Sequence, residues 1–309
     1  METKIYDVII IGGGAAGLTA AIYTSRESIK TLVLEKNLTG GLAASTDLVE
    51  NYPGFAEGIS GMELMDRFKE QAGRFGAEIT EFKEVNNLSL NNKEFVLKTD
   101  QEVFKAWAVI VASGSVPKRL DIPGEDVFKG KGVSYCATCD GPLFKGKDVS
   151  VIGCGNSGLQ EGEALLKYTK SVTFIEFLPY MTAQKILQER IQKNEKAKFF
   201  LNHKLTVIKG KDIVEAVIIK DRATDKEKDI PVQGVFIYAG YLPNSDFVKG
   251  LIELDQHGYI VTDERMKTSL EGVFAAGDIR SKEVRQIDTA CAEGTIAAIS
   301  VRDYLKNKF

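Results

Sequence analysis

The sequence predicts an α/β protein in which one unit, consisting of a strand, a glycine-rich turn, a helix and a second strand, occurs twice. In each copy an apolar strand runs directly into a Gly-x-Gly-x-x-Gly turn. Each copy ends on a glutamate at the same distance: Glu35 stands 23 residues after Gly12, and Glu176 stands 23 residues after Gly153. One such turn alone is weak evidence, but two in the same context and with the same spacing strongly indicate dinucleotide binding.

Each part of the repeated unit has a defined role in holding a dinucleotide. The first glycine makes the tight turn, the second lets a pyrophosphate approach the backbone, and the third lets the helix pack on the strand. The helix N-terminus offers N–H groups to the phosphates, and the final acid accepts hydrogen bonds from ribose hydroxyls. Two sites favour a flavin dinucleotide plus a second dinucleotide, whose site is either occupied or vestigial. The candidate residues are Gly12, Gly14, Ala15, Ala16, Gly17 and Glu35 in the first copy, and Gly153, Gly155, Asn156, Ser157, Gly158 and Glu176 in the second.

A segment near the C-terminus fits the flavin end of the first site. An apolar strand leads into Gly277-Asp278, which would present the carboxylate to a ribityl hydroxyl. The following Arg285-Gln286-Ile287 opens a helix rich in small residues, and the N-terminus of this helix would stabilise negative charge on a reduced flavin ring. The alternative interpretation is a surface turn before a core helix.

The composition is that of an ordinary globular protein large enough for two domains. The chain has 309 residues, 44% of them apolar, and 40 Lys and Arg against 43 Asp and Glu give a net charge of −3. This balance argues against nucleic acid as a partner, because phosphate backbones require clustered positive charge. The uncharged stretch Val8–Ser25 contains four glycines and suits a strand, turn and helix better than a membrane span. We therefore expect no membrane segment and a cytoplasmic protein, with the charged run Lys220–Arg222 on the surface or in a hairpin turn.

The four cysteines are Cys136, Cys139, Cys154 and Cys291, and only the first two form a Cys-x-x-Cys pair. A structural zinc site needs four ligands, and the two histidines stand far from this pair, so no metal is expected. A redox dithiol is the stronger interpretation. Cys154 and Cys291 are expected to be small buried side chains.

The order of these motifs resembles low-molecular-weight thioredoxin reductases along the whole chain. The matching segments are 12–17, 50–55, 111–114, 136–140, 277–278 and 285–286. The resemblance implies two Rossmann-like dinucleotide-binding domains, the second inserted into the first. The FAD-binding domain would comprise 1–114 and 245–309, and an NAD(P)H-type domain with the cysteine pair would comprise 115–244. The residues expected to hold FAD further include Lys36, Gly40, Gly41, Leu42, Asn51, Ala112 and Gly114.

The resemblance also implies a mechanism. Electrons would pass from a reduced nicotinamide through FAD to the Cys136–Cys139 disulfide, and the dithiol would reduce thioredoxin or a similar small disulfide protein. By this resemblance, Cys139 would face the flavin and Cys136 would attack the partner protein. The sequence itself does not assign these two roles. Asp140 is a candidate proton donor, or alternatively a helix cap. A homodimer is expected, as is rotation of the inserted domain about Ser115–Pro117 and 241–244.

The sequence departs from NADPH-dependent family members after the second glutamate. Those members have His-Arg-Arg where this chain has Glu176-Phe177-Leu178, and a carboxylate there favours a free 2′-hydroxyl. The longer stretch Val172–Gln188 is similar to the NADH-using flavoprotein subunit of alkyl hydroperoxide reductase. The expected donor is therefore NADH or NADPH, with NADPH preference in doubt.

Two alternatives follow from the same departure. The first is a ferredoxin-linked thioredoxin reductase, because Cys154 stands inside the second glycine turn while Glu161 and Glu163 add negative charge beyond it. Both features would weaken pyrophosphate binding. The second alternative is a non-catalytic flavin protein that senses redox state.

Overall fold

The computed structural model describes residues 5–308 and divides the chain into two compact units. The first unit joins Met1–Val116 with Leu242–Phe309, and the second is the continuous segment Pro117–Tyr241. Each unit contains a sheet with parallel strands, so the predicted α/β class with two Rossmann-like domains is confirmed.

In chain order, the helices and strands form three groups. The N-terminal group consists of β1 (Ile5–Ile11), α1 (Ala15–Arg26), β2 (Thr31–Leu34), α2 (Gly41–Ala44), α3 (Gly61–Arg74), β3 (Glu78–Thr80), β4 (Asn87–Asn91), β5 (Glu94–Lys98) and β6 (Val103–Val111). The middle group consists of β7 (Ser115–Pro117), β8 (Val133–Ser134), α4 (Ala137–Asp140), a 3₁₀ turn (Gly141–Phe144), β9 (Asp148–Ile152), α5 (Asn156–Leu166), β10 (Ser171–Glu176), α6 (Lys185–Gln192), β11 (Ala197–Leu201), β12 (His203–Gly210), β13 (Val214–Asp221), β14 (Glu227–Pro231), β15 (Gly234–Ile237) and β16 (Tyr241–Pro243). The C-terminal group consists of a 3₁₀ turn (Asp246–Val248), β17 (Val273–Ala275) and α7 (Ile287–Lys308).

The first unit is built on a seven-stranded sheet in the order β3-β2-β1-β6-β5-β4, with β17 beside β6. Strands β1, β2, β3, β6 and β17 pair in parallel, while β4 and β5 add an antiparallel edge. In register, Ile11 lies opposite both Leu34 and Val111. The carboxyl ends of β1, β2 and β6 are therefore level, and the residues that follow them share one edge of the sheet, where ligands bind in such folds.

The second unit contains a five-stranded parallel sheet in the order β11-β10-β9-β15-β8. Ile152 lies opposite both Ile175 and Ile237, so the carboxyl ends of β9, β10 and β15 are also level. A separate antiparallel sheet, β12-β13-β14, completes the unit.

The hydrophobic clusters lie wholly within one unit or the other. Val8–Ile11 of β1 are all buried, as expected for a parallel strand covered on both faces. One cluster of the first unit packs α1 against α7, and the two clusters of the second unit lie around β9 and β15. Helix α1 ends at Arg26, because Ser28 adopts a φ of +59° that ends the helix.

Strands β7 and β16, at the two junctions between the units, pair with each other as a two-stranded sheet. They contain the prolines of both predicted hinges, Pro117 and Pro243. Among residues 5–308, no helix is both long enough and apolar enough to cross a membrane.

Candidate functional site

The first glycine loop, residues 12–17, has no room for side chains at two of its glycines. Gly12 has a φ of +105°, and a Cβ there would lie 2.3 Å from the Ala112 carbonyl oxygen. A Cβ on Gly17 would lie 1.9 Å from the Gly12 carbonyl oxygen. Gly14 caps α1, and no side chain in residues 5–308 forms a capping hydrogen bond there. The first N–H groups of the helix are therefore available to an anion.

The second glycine loop, residues 153–158, repeats this geometry. Gly153 has a φ of +103°, and a Cβ there would lie 2.3 Å from the Tyr238 carbonyl oxygen. A Cβ on Gly158 would lie 2.0 Å from the Gly153 carbonyl oxygen. Gly155 caps α5 in an extended conformation, again without a side-chain cap in the described part of the chain. Asn156 and Ser157 form the start of that helix.

Two of the three features expected to weaken the second loop, Cys154 and Glu163, are offset within the second unit. The Cys154 side chain is fully buried among apolar neighbours, and this burial raises the pKa of its thiol to about 12. It therefore does not occupy the open side of the loop. Glu163 forms an ion pair with Arg190 at 2.8 Å, and Glu161 is buried.

The two glutamates at the strand ends make the same pair of hydrogen bonds. Glu35 Oε2 accepts from the Gly13 N–H at 2.7 Å, and its Oε1 accepts from the Asn37 N–H at 2.9 Å. Glu176 Oε2 accepts from the Cys154 N–H at 2.6 Å, and its Oε1 accepts from the Leu178 N–H at 2.9 Å. In each unit the carboxylate is therefore fixed beside the glycine loop, with lone pairs left for further donors.

The turn at Gly277 and Asp278 is held by a cluster of buried charges. Glu293 of α7 accepts a hydrogen bond from the Gly277 N–H at 2.7 Å and pairs with Arg280 at 2.8 Å. Lys282 lies 3.2 Å from Glu293 and 3.4 Å from Asp278. Burial raises the pKa of the Asp278 carboxyl, and the Lys282 charge opposes this in part. The Oδ1 atom of Asp278 forms an ion pair but no hydrogen bond within residues 5–308, so it can accept one from a hydroxyl group.

This turn lies against the first glycine loop. A Cβ on Gly277 would lie 2.8 Å from the Ala16 Cβ, and a Cβ on Gly294 would lie 2.3 Å from the Ala16 carbonyl oxygen. The start of α1, the Gly277 turn and α7, which begins at Ile287, are therefore in close contact. Two segments more than 250 residues apart in sequence thus form one site.

Several other residues expected to hold FAD lie around the same loop. The Gly40 N–H donates to the Gly13 carbonyl at 2.8 Å, and a Cβ on Gly41 would lie 3.4 Å from the Gly14 Cα. Gly41 begins α2, in which Leu42 is exposed. Residues 40–42 are therefore adjacent to the start of α1.

The remaining expected FAD residues make different contacts. Asn51 donates to Gln286 at 2.9 Å, and the guanidinium of Arg285 lies 4.2 Å from the centre of the Tyr259 ring. Lys36 pairs with Glu84 at 3.3 Å, so its charge is partly satisfied there. Ala112 is buried behind Gly12, and Gly114, with a φ of +63°, accepts a hydrogen bond from the Asn244 N–H.

The cysteine pair lies at the head of the short helix α4 and is oxidised. Cys136 and Cys139 form a disulfide with a Cα–Cα distance of 5.4 Å. The Cys139 N–H donates to Cys136 Sγ at 3.2 Å. Cys139 is exposed and Cys136 is half-buried, so the disulfide is within reach of another molecule. Cys154 and Cys291 are free thiols; Cys154 is buried as expected, whereas Cys291 is only partly buried.

Two residues that the sequence interpretation missed support this pair. The Ser134 hydroxyl donates to Asp140 Oδ2 at 2.6 Å and accepts from the Cys136 N–H at 3.1 Å. The Tyr238 hydroxyl accepts from the Ala137 N–H at 3.0 Å, while the Tyr238 carbonyl packs behind Gly153. Tyr238 thus connects the cysteine pair to the second glycine loop. Its position just after β15 was the only sequence signal, since no motif includes it.

No group of three His, Cys, Asp or Glu side chains in residues 5–308 is arranged to hold a metal ion.

Comparisons with known proteins agree with these motifs over the whole chain. A family model described as "Pyridine nucleotide-disulphide oxidoreductase" matches residues 6–294. Thioredoxin reductase of Bacillus subtilis is 46% identical over 311 residues, which cover 99% of this chain and 96% of that protein. Two solved thioredoxin reductases superpose closely on this chain. That of Lactococcus lactis has a TM-score of 0.95 and 38% identity, and the match covers 98% of this chain and 99% of that one. That of T. acidophilum has a TM-score of 0.94 and 40% identity, and the match covers 99% of both chains. The predicted resemblance to thioredoxin reductases is confirmed.

Proposed function

Because the chain belongs to the pyridine nucleotide-disulphide oxidoreductase family, we propose that it is a thioredoxin reductase that uses FAD and prefers NADH as electron donor. The observation that carries this proposal is the Cys136–Cys139 disulfide in a unit that also contains a complete second dinucleotide loop. An oxidoreductase of this family requires a flavin and a pyridine nucleotide, and the two equivalent loops match that requirement.

The first unit has the donors and acceptors that a flavin dinucleotide needs. The open N-terminus of α1 would hold the pyrophosphate, and Glu35 would accept from the adenosine ribose. The Oδ1 atom of Asp278, which makes no hydrogen bond within residues 5–308, would accept one from a ribityl hydroxyl. When bound, FAD supplies the two-electron chemistry between nicotinamide and disulfide.

The second unit would bind the reduced nicotinamide nucleotide. Its loop has the same backbone conformation as the first, and Glu176 stands where the ribose of the adenosine half would lie. A carboxylate at this point accepts from a 2′-hydroxyl and repels a 2′-phosphate. NADH is therefore the preferred donor.

The dithiol would act by thiol–disulfide exchange. Reduction of the Cys136–Cys139 disulfide takes up two electrons and two protons and gives two thiols. The Cys136 thiolate, stabilised by the Cys139 N–H, attacks the thioredoxin disulfide to form a mixed disulfide and releases one thioredoxin thiolate. Cys139 then attacks Cys136, which restores the intramolecular disulfide and releases the second thioredoxin thiolate. Asp140, held by Ser134, would exchange protons with these thiolates.

The test is an anaerobic titration of the purified protein with NADH and, separately, NADPH, monitored by flavin absorbance, followed by addition of oxidised thioredoxin. We expect NADH to bleach the flavin at lower concentration than NADPH, and thioredoxin to restore the absorbance. A flavin that dithionite reduces but neither nucleotide does would overturn the nucleotide donor and favour ferredoxin. A flavin that NADH bleaches but thioredoxin does not reoxidise would instead favour a redox-sensing role.

We also propose, from the family resemblance, that the protein is a homodimer and is located in the cytoplasm. Sedimentation of the flavin-loaded protein at micromolar concentration would test the first point.

A further inference from the structure

Arg222 is exposed in the hairpin turn between β13 and β14, as the sequence analysis expected, and from there it contacts the strand end beside the second glycine loop. Arg222 follows β13, and its guanidinium lies over the Phe177 ring at 3.7 Å from the ring centre. Its Nη1 donates to the Phe177 carbonyl at 2.9 Å. Phe177 directly follows Glu176 and is half exposed. A cation from the antiparallel sheet therefore contacts the residue next to the ribose-binding carboxylate.

Asn202, which follows β11, connects the segment after β10 with the segment after β13. Its backbone N–H donates to the Leu178 carbonyl at 2.8 Å, and its carbonyl accepts from the Arg222 N–H at 3.0 Å. Its side-chain oxygen lies 3.3 Å from Arg222 Nη1. The ends of β10, β11 and β13 are thus tied together at the ligand edge of the parallel sheet.

The peptide unit between Phe177 and Leu178 is held by two charged side chains. Its N–H donates to Glu176 Oε1 at 2.9 Å, while its C=O accepts from Arg222. The N–H and C=O of a trans peptide point in opposite directions, and this peptide is trans. Glu176 and Arg222 therefore hold the same peptide plane from opposite sides. The carboxylate faces the glycine loop, and the guanidinium lies behind the turn.

We infer that Phe177 and Arg222 form the adenosine-binding end of the second nucleotide site, with Arg222 as a positioning residue. This inference rests on the proposed function. The adenine of a dinucleotide is joined to the ribose that Glu176 would hold, so it must lie close to the residue that follows Glu176. The Phe177 ring, fixed by Arg222, offers an aromatic surface there. Since Arg222 is directed to a carbonyl behind the turn, the charge that meets the 2′ position is that of Glu176. The site therefore selects a dinucleotide without a 2′-phosphate.

The test is calorimetric titration of the FAD-loaded full-length protein with NAD⁺ and with NADP⁺. Arg222→Ala should weaken NAD⁺ binding about tenfold, since both the ring contact and the hold on the peptide are lost. Arg222→Lys should be nearly as weak, because a lysine keeps the charge but cannot stack as a planar group. Lys220→Ala is the matched control, since it removes a partly exposed cation two residues away that pairs with Asp225, and it should bind NAD⁺ like wild type.

The other outcomes would overturn either this inference alone or the proposed nucleotide donor as well. Equal NAD⁺ binding by wild type and Arg222→Ala would overturn the inference and leave the proposed donor intact. A loss confined to NADP⁺ would overturn it as well, because Arg222 would then be a 2′-phosphate ligand. Rescue by Arg222→Lys would reject the stacking role. Wild-type protein that binds neither nucleotide would overturn the nucleotide donor and, with it, this inference. Unchanged flavin content and melting temperature in the variants would show that they are folded.

Discussion

At the scale of single residues, the two cysteines of α4 differ in their surroundings. Cys136 accepts a backbone hydrogen bond and is half-buried, whereas Cys139 is exposed. We expect Cys136→Ser and Cys139→Ser each to abolish thioredoxin reduction, because both sulfur atoms are needed to complete the exchange. Both variants should keep the flavin spectrum, since neither residue lies in the first unit.

Cys291→Ser is the control for this pair, because it removes a thiol from α7 without touching the disulfide. It should reduce thioredoxin at the wild-type rate. Full activity in either Cys136→Ser or Cys139→Ser would contradict the dithiol mechanism.

Glu176 is the residue on which the choice of nucleotide should depend. Its carboxylate is buried beside the second loop and accepts two backbone hydrogen bonds. Glu176→Gln keeps the shape but removes the negative charge, so the preference for NADH over NADPH in kcat/KM should fall about tenfold or more. Glu176→Arg should shift the preference further toward NADPH.

The measurement is the ratio of kcat/KM values for the two nucleotides in steady-state assays. A ratio unchanged in Glu176→Gln would show that this carboxylate does not contact the ribose.

At the scale of turns and helices, the two glycine loops allow a matched experiment within one chain. Gly17 and Gly158 occupy equivalent positions, and a Cβ on either would collide with the carbonyl oxygen of the first glycine of its loop. Gly17→Ala should therefore lose FAD and retain an intact second unit. Gly158→Ala should retain FAD and lose reduction by NADH.

Flavin absorbance after gel filtration and NAD⁺ titration of each variant provide the two measurements. If Gly158→Ala lost FAD and kept nucleotide binding, the assignment of the two loops would be reversed.

Features that depend on a short local motif could be predicted from the sequence, and features that depend on contacts between distant segments could not. The glycine loops, Glu35, Glu176 and the cysteine pair could be predicted because each depends on a short motif whose spacing follows from one strand and one helix. Glu293, Lys282 and Arg222 could not, because each acts through a contact made in the folded chain. The mixed charges around Arg222 are typical of a solvated turn, and only the pairing of β13 with its neighbours places that guanidinium over Phe177. The end of α1 could not be predicted either, because it depends on the left-handed conformation of Ser28.

At the scale of the whole molecule, the second unit has the features of an independent domain. It is continuous in sequence and contains its own parallel sheet, and its two hydrophobic clusters consist only of residues from this unit. We expect the isolated fragment 117–241 to fold cooperatively and to bind NAD⁺ without FAD. Circular dichroism during heating and calorimetric titration would measure the two properties.

A longer fragment, 115–243, would retain both strands of the β7–β16 pair and should melt at a higher temperature, since the paired strands restrain the two ends. Non-cooperative melting of both fragments would show that the second unit depends on the first for its stability.

The pairing of β7 with β16 has a consequence for how such a protein can evolve. The chain leaves the first unit and returns to it through neighbouring strands, so the whole middle segment is bounded by two adjacent points. A gene can exchange that segment as a single cassette, and the remaining sheet keeps its strand order. Such an exchange would replace the second glycine loop and the cysteine pair together, while the first glycine loop and the Gly277 turn would stay unaltered.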